Sequence, residues 1–303
     1  MLARAQALVE RSLAEGCAPV VVPFFDEATF TVSYLVHDAA TRRAAIIDPL
    51  LDFELESGRV GTASADTLID HVRAAGLRVD WILETHVHAD HLSAAPYVQQ
   101  RLGGGVAIGR EVETVRRLFG GIFNAAVGTR PASRDFDRLL DDGDNLAIGE
   151  LPGIALHVPG HTPADMAFVI GDAVFCGDTL FMPDFGTARA DFPGGDARTL
   201  FRSIRRLQRL PDAARVFTCH DYKAPGRSAF AWESTMRAQR LANVHANLGV
   251  TEDAFVELRT ARDRTLTLPR LLLPSVQVNM MGGKLPPAES NGWRYLRIPL
   301  DAM

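Results

Sequence analysis

Thr85-His86-Val87-His88-Ala89-Asp90-His91 is the stretch from which the rest of the chain can be read. Three histidines and an aspartate fall within six residues, directly after the apolar run Trp81-Ile82-Leu83. A strand that feeds imidazole nitrogens and a carboxylate oxygen into one loop builds a site suited to zinc, iron or manganese. Three later stretches continue the pattern: Pro159-Gly160-His161-Thr162, Cys176-Gly177-Asp178-Thr179 and Cys219-His220-Asp221. Each follows an apolar, strand-like run. One histidine alone would be read as a core residue bonded to backbone; seven ligand-type residues in this order are read as a metal site.

Composition sets the frame. The chain has 303 residues, 47% hydrophobic and 23% charged, with a formal net charge of −5. That length suits one large domain. The acidic balance and the lack of a Lys/Arg block argue against nucleic acid as a partner. Lys223 and Lys284 are the only lysines. Three cysteines, Cys17, Cys176 and Cys219, make no disulfide framework and suit a reducing compartment, so a cytoplasmic location is expected. No apolar run reaches the length of a membrane span. Met1 to Cys17 carries Glu10 and Glu15 and lacks the apolar core of a secretory signal. Leu2, Ala5, Leu8, Val9 and Leu13 recur at helical spacing and predict an N-terminal helix within residues 1–18.

Alternation and turn residues predict strands at Val20–Phe25, Thr31–Val36, Ala44–Ile47 and Asp80–Glu84, and later at Ala155–Val158, Met166–Ile170, Ala173–Phe175 and Arg215–Thr218. Asp48-Pro49 reads as a turn. Helices are predicted at Ser64–Ala75, Ala94–Leu102, Glu111–Phe119, Asp196–Leu210, Trp232–Leu248 and Glu252–Leu266. Gly120–Asp137 has no period and reads as a long loop of the kind that lines sites. The Pro-rich tail ends in a strand-like Trp293–Ile298. The expected organisation is a single domain over 1–303, with residues 228–303 a helical and extended C-terminal extension. Ligands on loops of both halves suggest two sheets, helices outside, and a metal between.

With these residues in order, the chain resembles the metallo-β-lactamase fold superfamily. The resemblance implies an α/β fold, an αββα sandwich with the metal at one edge. Two ligand schemes follow from it. In the first, His86, His88 and His161 hold one metal and Asp90, His91 and His220 a second, with Asp178 bridging; zinc there would activate a water. In the second, His86, His161 and Asp178 form a two-histidine, one-carboxylate triad for a single Fe(II), with open positions. His88, Asp90, His91 and His220 would then hold water and substrate around it. The ligand residues alone leave both schemes open.

Further segments resemble one branch, the persulfide dioxygenases. They are Thr85–Ala95, Gly177-Asp178-Thr179-Leu180-Phe181-Met182-Pro183-Asp184, Gly186-Thr187-Ala188-Arg189-Ala190-Asp191-Phe192-Pro193-Gly194, His220-Asp221-Tyr222 and Pro274-Ser275-Val276-Gln277-Val278-Asn279-Met280. The tail Leu285-Pro286-Pro287 and Asn291-Gly292 resembles the long bacterial form. The resemblance runs from about Val20 to the C-terminus. It implies an iron enzyme, one Fe(II) per subunit, that oxidises glutathione persulfide with O2 to sulfite and glutathione. Its expected metal ligands are His86, His161 and Asp178, and its expected catalytic groups Asp90, His220 and Tyr222. Arg189, Tyr222 and Lys284 are its expected substrate contacts. Arg189 has an alternative role, pairing with Asp191 or Asp184 to brace its loop. Tyr222 is equally read as packing, and Lys284 as a solvated tail lysine. A homodimer is expected from the family, and any rhodanese-type sulfurtransferase partner would be a separate chain.

The rival within the fold is a dinuclear zinc thioester hydrolase of glyoxalase II type, which shares ligands and thiol carrier. A lactonase or β-lactamase lacks the C-terminal match. A nuclease needs a basic surface, and a non-catalytic sulfide-binding module leaves the complete ligand set without purpose. Cys176 and Cys219 adjoin ligands but read as buried inert thiols, with Cys219 expected to point away from His220. His157 reads as a structural hydrogen-bonder, and His37, His71 and His245 carry no motif. Asp165 departs from the relatives' pattern, and the sequence assigns it no role.

Overall fold

Two six-stranded sheets stack face to face in a computed structural model that describes residues 1–125, 128 and 130–302. The first half runs α1 (Leu2–Glu15), β1 (Val20–Asp26), β2 (Thr31–His37), β3 (Arg43–Ile47), β4 (Leu50–Glu54), β5 (Arg59–Gly61), α2 (Ala63–Ala74), β6 (Arg78–Leu83), β7 (Leu92–Ser93), α3 (Ala95–Leu102), β8 (Gly105–Gly109), α4 (Val112–Ile122) and β9 (Arg138–Leu140). The second half runs β10 (Asn145–Ile148), β11 (Leu151–His157), β12 (Met166–Ile170), β13 (Ala173–Phe175), α5 (Ala197–Leu207), β14 (Arg215–Phe217), β15 (Glu233–Thr235), α6 (Met236–Ala242), α7 (Glu252–Asp263) and α8 (Leu272–Asn279). The sheet orders are β1-β2-β3-β6-β8-β9 and β10 to β15 in sequence, with a small β5-β4-β7 sheet beside them.

Three apolar layers hold this together. Val32, Tyr34 and Val36 of β2 meet Phe168 and Ile170 of β12 between the sheets. Leu68 of α2, Val98 of α3, Val115 of α4 and Val276 of α8 cover the outer face of the first sheet. Leu8 of α1, Leu200 and Ile204 of α5 and Phe255 of α7 cover the second. β2 is buried on both faces, so its sequence shows no polar alternation. The expected αββα sandwich is the observed architecture.

Several expectations are corrected. Trp232–Leu248 is not one helix: β15 adds to the sheet edge, and Thr235 then caps the short α6 by accepting from Ala238 N. Trp293–Ile298 forms no strand; the side chain of Gln277 pairs with the backbone of Arg297, and the Trp293 carbonyl accepts from Glu289 N. The Pro-rich tail contains α8, because Pro274 sits in the first turn, where its missing N–H costs nothing. β8 lies outside the expected strands, because its short apolar run begins and ends on glycines, Gly105 and Gly109. Of the long loop Gly120–Asp137, Ala126, Val127 and Thr129 lie outside the described residues. α4 reaches Ile122, and the described remainder packs around Asp135, away from the pocket described below. In α1, Ser12 rather than Leu13 completes the buried face. Among the described residues no helix is long and apolar enough to cross a membrane.

Candidate metal centre

The motif loops leave the sheets at one edge, at the C-terminal ends of β6, β11, β13 and β14. Two glycines shape them. Gly160 has φ +143°, and a Cβ there would sit 2.3 Å from the Leu200 backbone. Gly177 has φ +50°, and a Cβ would meet Thr85 at 2.8 Å. Side chains at either position would push His161 or Asp178 out of place.

His86, His161 and Asp178 converge, all three buried, with ligand-grade atoms within 4.8 Å of one another. Asp178 Oδ2 lies 3.6 Å from His161 Nε2 and 4.0 Å from His86 Nε2. Metal bonds of about 2.0–2.2 Å would span those gaps. The ring tautomers are set from behind. Asp48 accepts from Thr85 N at 2.7 Å and from Thr85 Oγ1 at 2.8 Å. Having given its proton to a carboxylate, the Thr85 hydroxyl can only accept from His86 Nδ1 at 3.0 Å. His161 Nδ1 donates to the Arg189 carbonyl at 2.8 Å. Both Nε2 lone pairs therefore face the cluster. Burial, then the neighbouring His88 and His161, push His86 well below its ordinary pKa, so it is neutral, as a metal ligand must be. His86 Nε2, His88 Nδ1, His91 Nε2, His220 Nε2 and Asp178 Oδ1 are buried without hydrogen-bond partners. Such orphaned atoms aimed at one point fit a metal site.

His88 behaves differently. Its ring lies between those of His86 and His91, with centroids 4.1 and 4.2 Å away. Its Nε2, however, stands 3.0 Å from Asp48 Oδ1 and 3.5 Å from Glu84 Oε2, too poorly aligned for a hydrogen bond but close enough for charge pairing. Burial opposes its charge, yet facing Asp48 and Glu84 it is held well above the usual histidine range. Its Nε2 thus faces two carboxylates that sequence reasoning missed, while its Nδ1 is buried without a partner and His88 groups with Asp90 and His91, ligand-grade atoms within 4.8 Å of one another. Asp48 had been read only as a turn residue and Glu84 only as a strand end. An acidic residue directly after the buried end of an apolar strand was the available signal in both cases.

Asp90, His91 and His220 gather beside the cluster. His220 Nε2 is 3.4 Å from both Asp90 Oδ2 and Asp178 Oδ1. The Thr31 hydroxyl lies 3.2 Å from Asp90 Oδ2 and 3.4 Å from Nδ1 of both His91 and His220. Asn279 of α8 pins the histidine loop, donating to the His88 and His91 carbonyls at 2.9 and 2.7 Å and accepting from Ser93 N at 2.8 Å. Asp165 accepts from Thr162 N and Thr162 Oγ1, each at 2.7 Å, and so braces the His161 loop. Burial raises its carboxyl to about 6.

A cavity of about 540 Å³ opens above the cluster, reaching Asp90, His161 and Asp178, with Phe181, Phe185 and Tyr222 on one wall. Tyr222 stacks on His220 with centroids 5.5 Å apart. Burial, then Asp90 and Asp178, push its phenol well above 10, so the hydroxyl keeps its proton. Arg189 lines the cavity but is engaged: Nε and Nη2 bond Asp191 at 2.6 and 2.8 Å, and Nη1 bonds the Thr267 carbonyl at 2.7 Å. As placed it braces its loop and has no free edge for a carboxylate. Lys284 is not on the cavity wall; it bonds the Arg134 carbonyl and lies 3.4 Å from Asp135. Cys219 is buried, but its sulfur lies within the cluster of Asp178 and His220 and 3.7 Å from Asp48 Oδ2. The expectation that it points away fails because β14 ends at Phe217, so strand alternation does not extend to it. Cys176 bonds backbone carbonyls, and burial pushes its thiol up to about 12. His157 Nε2 meets the Pro163 carbonyl at 2.8 Å.

Residues 27–220 match the metallo-beta-lactamase superfamily, and the chain belongs to it. Its fold and its histidine–aspartate cluster fit that superfamily's use of metal. It is 57% identical to a probable metallo-hydrolase of Burkholderia pseudomallei, over 92% of this chain and 98% of that one. It is 42% identical to Glyoxylase B2 of Dictyostelium discoideum, over 93% and 96% of the two chains. It is 28% identical to the human mitochondrial persulfide dioxygenase ETHE1, over 88% and 90%. The crystal structure of ETHE1 from Myxococcus xanthus superposes with a TM-score of 0.69, at 28% identity, over 88% of this chain and 100% of that one.

Proposed function

We propose that the chain is a persulfide dioxygenase that uses one Fe(II) held by His86, His161 and Asp178. The observation that carries this reading is the convergence of His86, His161 and Asp178, with ligand-grade atoms within 4.8 Å of one another. Two histidines and one carboxylate are the donor set of Fe(II) oxygenases. His88 Nε2 faces Asp48 and Glu84, while its Nδ1 is buried without a partner and open to a metal, as the second reading below requires. Similarity to persulfide dioxygenases along most of the chain supports the same reading.

When bound, the ferrous ion supplies redox chemistry and open positions for O2 and a sulfur donor. In the net reaction, glutathione persulfide, O2 and water give glutathione, sulfite and two protons. The residues prepare that reaction by position. The aromatic wall of Phe181, Phe185 and Tyr222 excludes bulk water from the sulfur end of the substrate. Tyr222 keeps its phenolic proton and lines the cavity, within reach of a substrate there. Asp90 Oδ2 and His220 Nε2 stand 3.4 Å apart beside the cluster, placed to take or give a proton to the persulfide or water. A cytoplasmic location, a homodimer and a separate sulfurtransferase supplying the persulfide belong to this proposal.

One observation favours the second reading, a dinuclear zinc thioester hydrolase. Asp90, His91 and His220 are grouped, His91 Nε2 and His220 Nε2 are free, and Asp178 Oδ1 faces His220 as a bridging oxygen would. Relatives named metallo-hydrolase and Glyoxylase B2 add to it. Anaerobic Fe(II) titration of the wild type and His88→Gln separates the two readings. One metal per chain in both proteins supports the triad. Two per chain in the wild type, falling to one in the variant, moves the assignment to the hydrolase.

A further inference from the structure

The aromatic wall of the cavity comes from two loops: Phe181 and Phe185 stand on one, Tyr222 on the other. Arg227 ties these loops together. Its Nη1 bonds Asp221 Oδ2 at 2.6 Å and its Nη2 bonds Asp221 Oδ1, a fork on one carboxylate. Its Nε bonds Asp184 Oδ2 in the other loop at 2.8 Å. The two legs differ. The Asp221 side chain is fully buried and also accepts from Ala231 N at 2.7 Å. The Asp184 side chain is 45% exposed. Burial strengthens the first leg, and solvent weakens the second.

Tyr222 follows Asp221 directly. It is 39% exposed, and among the described residues its hydroxyl has no hydrogen-bond partner. Its ring rests against His220 and Phe185, with centroids 5.5 and 5.3 Å away. The next residue, Lys223, has φ +56°, a left-handed conformation that is uncommon outside glycine. Such a conformation persists where the surroundings over-determine it. Here Lys223 N bonds Asp221 Oδ1 at 3.3 Å, and the Lys223 ammonium stands 4.0 Å from the centre of the Phe230 ring. The backbone around Tyr222 is thus held by the Asp221 carboxylate, and that carboxylate is held by Arg227.

We propose that Arg227 is a positioning residue that, through Asp221, fixes the Tyr222 ring over His220 on the wall of the metal cavity. Arg227 does not itself line the cavity, so it acts on turnover through Tyr222. The proposal rests on the functional reading for the reaction assayed, not for the placement of the ring.

The test has two arms. The first is 19F NMR of protein labelled with 3-fluorotyrosine; the chain has four tyrosines, and Tyr222→Phe assigns the signal of interest. Arg227→Lys keeps a positive charge beside Asp221 but cannot form the fork. In it the Tyr222 signal should shift or broaden, while those of Tyr34, Tyr97 and Tyr295 stay and report an intact fold. Asp184→Asn breaks only the exposed leg and should leave the Tyr222 signal in place. The second arm is turnover. Arg227→Lys should lower kcat about 10-fold, because a misplacement of about 1 Å can cost about 10²-fold. On a Tyr222→Ala background the same change should cost nothing further, as expected of two residues that act as one unit. An unmoved Tyr222 signal in Arg227→Lys overturns the proposal, as does movement of all four signals. A kcat loss in the double variant equal to the product of the single losses also overturns it. The NMR arm needs no turnover, so its failure is separable from failure of the dioxygenase reading, which O2 uptake tests.

Discussion

Asn279→Ala should loosen the metal loop from a distance of 186 to 191 residues in sequence. Asn279 is buried in α8, and its side chain satisfies three backbone groups at once: the carbonyls of His88 and His91 and the N–H of Ser93. Leaving a buried polar group without a partner costs about 1–3 kcal/mol. A carbonyl has a second lone pair and the loop can relax, so each of the three losses falls at the low end, giving about 3 kcal/mol in total. For a chain of this length that is roughly 2 °C per kcal/mol, hence a fall of about 6 °C in Tm. The loop it anchors carries His86, so iron content after anaerobic loading and desalting should fall with it. Differential scanning calorimetry and metal analysis on the same samples provide the assay. Asn279→Asp keeps the acceptor for Ser93 and loses both donors, so it should fall between wild type and alanine in iron content. A Tm within 1 °C of wild type together with unchanged iron in Asn279→Ala would refute the reasoning, because three buried groups cannot lose their partner without effect.

Two other predictions follow from the same geometry. His161→Ala removes a nitrogen of the triad and should lose iron and O2 uptake together; iron retained at the wild-type level counts against its ligand role. His245 gives a pH dependence. Burial, then Arg259 and Arg262, lower it from 6.5 to about 4, and its Nδ1 accepts from Thr187 N at 3.1 Å. Its folded pKa lies below the unfolded one, so between these values the unfolded chain takes up a proton that the folded protein refuses. This stability is present above pH 6.5 and is lost as the pH falls towards 4. The full shift would be about 3 kcal/mol, and partial exposure reduces it to about 1–2 kcal/mol. Urea melts from pH 7 to 4.5 should show a shallower loss in His245→Gln; parallel curves would remove His245 from the account.

The metal triad was legible because each ligand closes an apolar strand and sits beside a glycine or another ligand in a short motif. Both sheets were legible where strands alternate or run apolar, as in β1, β2 and β12. What stayed hidden depends on contacts between distant segments. Asp48 faces His88 across 40 residues, and nothing near Asp48 in sequence distinguishes a turn aspartate from a buried counter-charge. For Arg189 the sequence left two roles open, a substrate contact or a brace with Asp191 or Asp184, and the folded geometry, with both Asp191 oxygens taken, gives the brace. Lys284 belongs to the Asp135 ion-pair cluster, which forms only when the tail packs back on the first half. Cys219 was misplaced by extending strand alternation past the end of β14 at Phe217, and α8 went unassigned because it lies in the Pro-rich tail, although Pro274 stands in its first turn.

O2 consumption by anaerobically Fe(II)-loaded protein given glutathione persulfide, against a zinc-loaded control, tests the central claim most directly. The account predicts O2 uptake with stoichiometric sulfite in the iron form alone. No uptake in either form, with cleavage of a glutathione thioester by the zinc form, would contradict it and establish the hydrolase.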